Sequence, residues 1–170
     1  MDIDYIVSPS EQLDFPENSF DVVTACQCFW YFDHERLVPM LKKILKPAGK
    51  LLVLYMAWLP FEDKIAGKSE ELVLKYSPKW SGAGETEHPI YIPACYDEAF
   101  QRTYHDEYRL KVHFTRETWH GRMKSCRGIG ASLTTAEIEA WEAEHLKMLE
   151  KFPPEFDVLH YAAMAELTLK

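Results

Sequence analysis

A strand–helix–strand pattern between residues 15 and 58 constrains the fold of this chain more than any other feature of its sequence. Phe20–Cys26 and Lys50–Met56 are apolar runs with almost no alternation, which is typical of strands buried on both faces of a parallel sheet. Between them, apolar residues recur at the spacing of one helix face: Leu37, Met40, Leu41, Ile44 and Leu45. Asp33 stands where an N-cap belongs, and Gly49 stands just past the end of the pattern. Two buried strands joined by an amphipathic helix form a right-handed crossover, so the predicted fold class is α/β.

The rest of the chain predicts further strands and a long loop. Asp2–Val7 is compatible with one short strand, and Asp63–Tyr76 has the periodicity of a helix. Residues 77–93 are rich in proline, glycine and charge, which predicts a loop. Tyr104–Phe114 alternates between apolar and polar residues, as a half-exposed strand does, and Phe156–Leu169 predicts the last strand.

Two helices are predicted between these last strands. Thr115 is a candidate N-cap for a short helix that places Trp119, Met123 and Cys126 along one stripe. Thr134 and Glu137 form a Thr-x-x-Glu capping box at the start of the second helix. Its predicted apolar face consists of Ile138, Trp141, His145, Met148 and Leu149. We interpret His145, on that apolar face, as a hydrogen-bonded core histidine.

Composition and charge exclude several classes of function. With 170 residues and 47% apolar residues, the chain is long enough for one ordinary core, so we expect a single domain over residues 1–170. A net charge of -8 argues against a protein that binds nucleic acid regardless of its sequence. The chain shows neither an apolar run long enough for a membrane span nor a secretory signal pattern, so the expected location is the cytoplasm.

The cysteines and histidines do not form a recognisable metal site. Cys26 and Cys28 are too close for the usual chelating pair, and no second pair complements them. We therefore expect no metal, and interpret all four cysteines, which include Cys95 and Cys126, as free buried thiols.

Two phrases in the sequence carry a family resemblance. LDFPENSFDVV leads into the first strand of the crossover, and LKPAGKLLVL leads into the second. In their order and spacing they resemble the fourth and fifth strands of the class I S-adenosylmethionine-dependent methyltransferases. The small-molecule branch that resembles trans-aconitate methyltransferase fits best, because the run from Ala25 to Trp30 is similar to the residues that follow the fourth strand there. The resemblance implies a Rossmann-like, mixed sheet with an antiparallel last strand, S-adenosylmethionine as cofactor and a small-molecule methyl acceptor.

The resemblance also implies which residues of the crossover contact ligands. It assigns cofactor contacts to Ser10, Glu11, Ala25, Cys26 and Gln27, and acceptor contacts to Trp30 and Tyr31. Two positions depart from the family pattern. Pro9 stands near the position that reads the adenine, where it offers no side-chain acceptor, and Phe29 replaces a histidine.

A second set of candidate residues lies in the carboxy-terminal half. By resemblance, residues 58–101 are an insertion or lid and residues 115–151 are a helical cover on the acceptor side. His120 is a candidate general base, and Arg122 and Arg127 are candidate ligands for an acceptor carboxylate. Trp119 completes this acceptor set. The alternative is that the arginines are solvated cations on a helix face and that His120 caps it.

The resemblance covers only about the last two-thirds of the family pattern. The glycine-rich turn and the ribose-binding carboxylate of the first two βα units have no counterpart in the chain. The sheet is therefore expected to lack these units, which exposes one side of the strand Phe20–Cys26. We expect a second copy of the chain to pair with that edge in a homo-oligomer, or Asp2–Val7 to fold onto it.

Three functions follow as hypotheses. The first is methyl transfer to a small molecule by the carboxy-terminal part of an enzyme, with no firm grip on the cofactor by this chain alone. The second is a non-catalytic remnant or self-associating interaction module. The third, a piece of a Rossmann dehydrogenase, fits poorly, because an aromatic run follows the first strand of the crossover and the end of the sheet is predicted to be antiparallel.

Overall fold

The computed structural model describes residues 3–170 as an α/β fold with four strands and five helices. The elements are β1 (Phe20–Cys26), α1 (His34–Ile44), β2 (Leu45–Trp58), α2 (Lys64–Tyr76), β3 (Phe100–Thr115), α3 (Arg116–Lys124), α4 (Arg127–Gly130), α5 (Thr135–Leu149) and β4 (Glu155–Leu169). Short 3-10 turns cover Ser10–Gln12, Phe29–Tyr31 and Ala94–Tyr96. None of the helices between residues 3 and 170 is both long and apolar enough to cross a membrane.

The four strands form one mixed sheet in the order β1-β2-β4-β3. β1 and β2 are parallel and joined through α1, as the crossover predicts, and the remaining pairs are antiparallel. The last strand, β4, lies beside β3, as predicted. The predicted fold class, a mixed α/β sheet with an antiparallel last strand, is therefore confirmed.

The chain divides into two compact units. The first consists of residues 1–55, 89–107 and 163–170, and the second of residues 56–88 and 108–162. In the first unit, Phe29 is buried and its ring lies 4.6 Å from His34 and 5.7 Å from Tyr96, centroid to centroid. The Tyr96 hydroxyl and the His34 Nδ1 atom are 3.1 Å apart, which ties the 3-10 turn before β3 to the start of α1.

The second unit has a helical core whose caps were predicted from sequence. Thr115 and Thr134 each accept a hydrogen bond from the backbone N–H three residues on, and both helices carry complete capping boxes. The buried cluster is rich in aromatic and aliphatic residues: Trp58, Ile65, Ala66, Val73, Trp119, Met123, Cys126, Ile129, Trp141, Met148, Leu149, Phe156 and Val158.

Two predictions about strands are wrong. Residues 3–7 form no strand and their apolar side chains are exposed, whereas Asp2 lies outside the described residues. A strand needs a neighbour to pair with, and an apolar run alone does not provide one. β1 is also not buried on both faces, because it is an edge strand in which Ala25 is buried but Val22 is 43% exposed.

The end of α1 also differs from its prediction. The helix ends at Ile44, and Leu45 already belongs to β2, so Gly49 lies within the strand rather than at a helix C-cap. Ala48, with φ of 61°, takes the left-handed conformation in this irregular start of the strand. Gly49 is needed for space, since an added Cβ would lie 2.8 Å from the Lys46 carbonyl oxygen.

Candidate functional site

The carboxyl end of β1 carries three of the predicted cofactor residues. Ala25 is buried and pairs with Val53 of β2, whereas Cys26 is exposed and pairs with Leu54. The prediction that all the cysteines are buried is therefore wrong for Cys26. Gln27 follows in a left-handed conformation, with φ of 60°, and its N–H donates to the Leu54 carbonyl at 2.9 Å. The backbone thus leaves the sheet in a sharp turn at the strand end, which is where ligands bind in open α/β sheets.

An aromatic surface follows that turn. Trp30 is 44% exposed, and its ring meets Tyr55 edge-on with the centroids 5.1 Å apart. Tyr31 is 77% exposed. Phe29 turns inward, so the aromatic run divides between core and surface. Both residues predicted to contact the acceptor therefore present ring surface to solvent.

Ser10 and Glu11 lie in the 3-10 turn that precedes β1. The Asp33 backbone N–H donates to Glu11 Oε1 at 2.9 Å, which joins this turn to the N-cap of α1. That hydrogen bond is the main reason that the pKa of Glu11 lies below its usual value, and the Ser10 hydroxyl adds a smaller contribution. Asp33, predicted as a cap, occupies the N-cap position without a side-chain capping bond.

The second group of predicted residues lies in the other unit. Trp119 is fully buried, and its Nε1–H donates to Ser69 Oγ at 2.9 Å. His120 is stacked on Trp141, and its Nδ1 lies 2.8 Å from the Nδ1 of His145. Its Nε2 lies 3.4 Å from the Glu142 carboxylate, so both ring nitrogens of His120 have partners within the unit.

The two arginines have different surroundings. The guanidinium of Arg122 lies over the Trp58 ring, 4.9 Å from its centroid, in a cation–π contact. Arg127 is exposed at the start of α4, where its carbonyl accepts the Ser132 hydroxyl at 2.7 Å. The roles assigned to His120, Trp119 and both arginines stay predictions.

His145 is a hydrogen-bonded core histidine, as predicted. It is fully buried, and its Nε2 lies 3.0 Å from Ser69 Oγ, which also donates to the Ile65 carbonyl at 2.8 Å. Burial and the neighbouring charge of His120 lower the pKa of His145 to about 3. The imidazole is therefore neutral at physiological pH and serves as a structural connector.

Ser69 and Glu70 are two buried polar residues that sequence reasoning missed. Glu70 accepts from Trp58 Nε1 at 2.5 Å and from the Gly84 N–H at 2.8 Å, and burial raises its pKa. It thereby fixes the loop after α2. Both residues occupy the helix face of Ile65 and Val73, so the period of that face was the available signal.

No group of three or more His, Cys, Asp or Glu residues within the described part of the chain has the arrangement of a metal site.

Comparison with known proteins places the first unit in a family. The family model described as "Methyltransferase domain" matches residues 1–53, which include β1, α1 and most of β2. Among curated proteins, no sequence matches the chain. The predicted resemblance is confirmed at this level, and the chain contains part of a methyltransferase domain. The branch similar to trans-aconitate methyltransferase stays a prediction.

Solved structures show the same fold. A protein from Anaeromyxobacter dehalogenans, provisionally assigned as a type II methyltransferase, is 17% identical, with 97% of this chain and 70% of that chain covered and a TM-score of 0.54. A provisionally assigned methyltransferase from Bacillus halodurans C-125 is 15% identical, with 98% and 77% covered and a TM-score of 0.44. Phosphoethanolamine N-methyltransferase 2 of Haemonchus contortus, solved with S-adenosylmethionine, is 15% identical, with 95% and 35% covered and a TM-score of 0.37.

Proposed function

We propose that this chain, whose residues 1–53 match the methyltransferase domain, supplies the carboxy-terminal part of a class I S-adenosylmethionine-dependent methyltransferase acting on a small molecule. The observation that carries the proposal is the crossover β1–α1–β2, because the matched residues build it and its strand ends carry Cys26, Gln27 and Trp30. The related structure from Anaeromyxobacter dehalogenans supports the proposal that a further segment completes the fold, since the chain covers 70% of it.

The residues present fit only part of the cofactor. Trp30 and Tyr31 offer exposed aromatic surface, on which a planar base or an apolar acceptor can lie. Glu11 is the carboxylate at this end of the unit that the resemblance assigns to the cofactor, and it is already engaged by Asp33 and Ser10. The predicted positions therefore offer no uncommitted carboxylate for the ribose hydroxyls. This disagreement supports the view that the chain does not hold the cofactor firmly by itself.

Titration calorimetry with S-adenosylhomocysteine tests this view directly. We expect no saturable heat up to about 1 mM ligand, which corresponds to a binding free energy weaker than about -4 kcal/mol. Saturable binding at micromolar ligand would contradict incompetence of the chain alone. The coding sequence upstream of Met1 is the second measurement, and we expect an in-frame glycine-rich strand end there. The extended protein should then transfer a labelled methyl group from S-adenosylmethionine to a small molecule. Absence of both results favours the alternative, a non-catalytic interaction module.

The exposed edge of β1 supports a further proposal, that a second copy of the chain pairs with it. β1 is an edge strand of the described sheet, and Val22 on it is 43% exposed. Asp21, the charged side chain of the strand, is paired with Lys46 at 2.8 Å and gives the edge little net charge. An apolar, weakly charged edge is a template for pairing between chains.

Substitution of Val22 by lysine is therefore expected to abolish self-association, because a charged edge strand resists pairing. Light scattering after gel filtration should give about twice 19.9 kDa for the wild type and 19.9 kDa for Val22→Lys. Tyr108→Lys is the matched control, since Tyr108 is 52% exposed on β3, the other edge strand. A monomeric wild type, or equal loss of the dimer in both variants, would rule out pairing through β1.

A further inference from the structure

A cavity of about 850 Å³ lies in the second unit, lined by α2, α5 and the residues just past α5. Its lining contains five lysines and two glutamates. The chain as a whole has a net charge of -8, so a local excess of positive charge is a departure from the rest of the surface. The volume falls within the range of sites for small molecules, which is about 300–1,000 Å³.

The two carboxylates do not neutralise the lysines. Glu144 accepts from Lys75 at 2.6 Å and from the Tyr76 hydroxyl at 2.9 Å, and Lys68 lies 3.6 Å from Glu71. These pairs leave three lining lysines without a carboxylate partner among residues 3–170: Lys64, Lys147 and Lys151. The cavity therefore has uncompensated positive charge available to a ligand.

Helix stability explains some of these lysines but not all. Lys147 lies in the last turn of α5, where the helix dipole favours a cation. Lys64 is the first residue of α2, where the dipole favours an anion, and the first turn of α2 contains no acidic residue. Lys64 is thus placed against the local preference, which points to a role other than folding.

The floor of the cavity is apolar. Leu72 and Phe152 are partly buried side chains, and Met148 is 8% exposed. The lysine stems extend apolar surface toward the rim while their ammonium groups stay in water. A ligand that satisfies both parts must carry an anionic group at one end and an apolar body at the other.

We propose that this cavity binds a small organic anion with an apolar body, such as an aryl or alkyl phosphate or carboxylate. The anionic group pairs with the lysines near the amino end of α2 and the carboxyl end of α5, and the apolar part rests on Leu72, Met148 and Phe152. This site involves none of the residues assigned to methyl transfer, and it stands independently of that function.

Titration calorimetry with 1-naphthyl phosphate tests the proposal on the full chain. We expect it to bind at least about tenfold more tightly than inorganic phosphate, which lacks the apolar body, and than 1-naphthol, which lacks the charge. Lys64→Gln and Lys151→Gln are each expected to weaken binding about threefold or more, and the double variant about tenfold. Lys111→Gln, an exposed lysine on β3, is the matched control and should bind as the wild type does.

Two outcomes would overturn the proposal. One is equal affinity for 1-naphthyl phosphate and for either of its halves. The other is a double lysine variant that is folded, as judged by circular dichroism, and binds as tightly as Lys111→Gln. Replacing naphthyl phosphate with 2-naphthoate distinguishes the anionic groups, and tighter binding of either compound than of 1-naphthol supports an anion site.

Discussion

Acidification from pH 7 to about 4.5 is expected to lower the free energy of unfolding by about 3 kcal/mol through His145 alone. Burial lowers the pKa of this imidazole from 6.5 to about 3 in the folded chain. Above pH 6.5 the side chain is neutral in both states, so its full contribution to stability is present. As the pH falls from 6.5 toward 3, the unfolded chain takes up a proton that the folded chain refuses, and that stability is lost.

Urea unfolding of the wild type and of His145→Gln at both pH values measures this contribution. His145→Gln should be less stable at pH 7, because it disturbs the contacts to Ser69 and His120. It should nevertheless lose about 3 kcal/mol less than the wild type on acidification, because it has no imidazole to protonate. Equal losses in the two proteins would show that His145 is not the group responsible.

Other buried groups titrate nearby, so the comparison must be a difference between variants. Burial lowers the pKa of His160, which therefore destabilises the folded chain in acid as His145 does. Burial raises the pKa of Glu70, and this acts in the opposite direction, because the folded chain then holds a proton more firmly than the unfolded one. Both groups remain in His145→Gln and cancel. His113→Gln, which changes an exposed histidine, should leave the acid sensitivity unchanged.

Local sequence signals predicted the elements whose physics is local. The capping boxes at Thr115 and Thr134 need only residues three positions apart, and both are present in the structure. The start of β2 at Leu45 was missed because helix and strand compete there for the same apolar residues. Residues 3–7 were misassigned because a strand depends on a partner that the local sequence does not specify.

The candidate site shows the same division. Residues that follow β1 were located because strand ends in a parallel crossover define an edge of the sheet. The hydrogen-bonded group around Ser69 was not found, because its members come from α2, α3 and α5 and meet only after folding. Trp119 was assigned to a ligand from its place beside His120 and Arg122, but its helix face alone does not reveal that its ring is fully buried.

Replacement of Trp119 by alanine is expected to cost about 4 kcal/mol of unfolding free energy, the largest effect of a single substitution predicted for this chain. The indole is fully buried, and its ring meets Trp58 and Phe114 with centroids 5.6 and 5.0 Å away. Alanine leaves a cavity that these rings can fill only in part. It also removes the donor to Ser69 Oγ. Typical domains are stable by about 5–15 kcal/mol, so much of the variant should be unfolded near its thermal midpoint well below that of the wild type.

The hydrogen bond and the packing can be separated with phenylalanine variants. Trp119→Phe loses ring volume and the bond to Ser69, whereas Trp141→Phe loses the same volume from another fully buried indole. The Trp141 Nε1–H has no hydrogen-bond partner within residues 3–170, so its removal breaks no bond. Trp119→Phe should therefore be about 1 kcal/mol more destabilising than Trp141→Phe in urea unfolding at pH 7. An equal or larger cost for Trp141→Phe would mean that the bond to Ser69 contributes nothing and that Trp119 acts through packing alone.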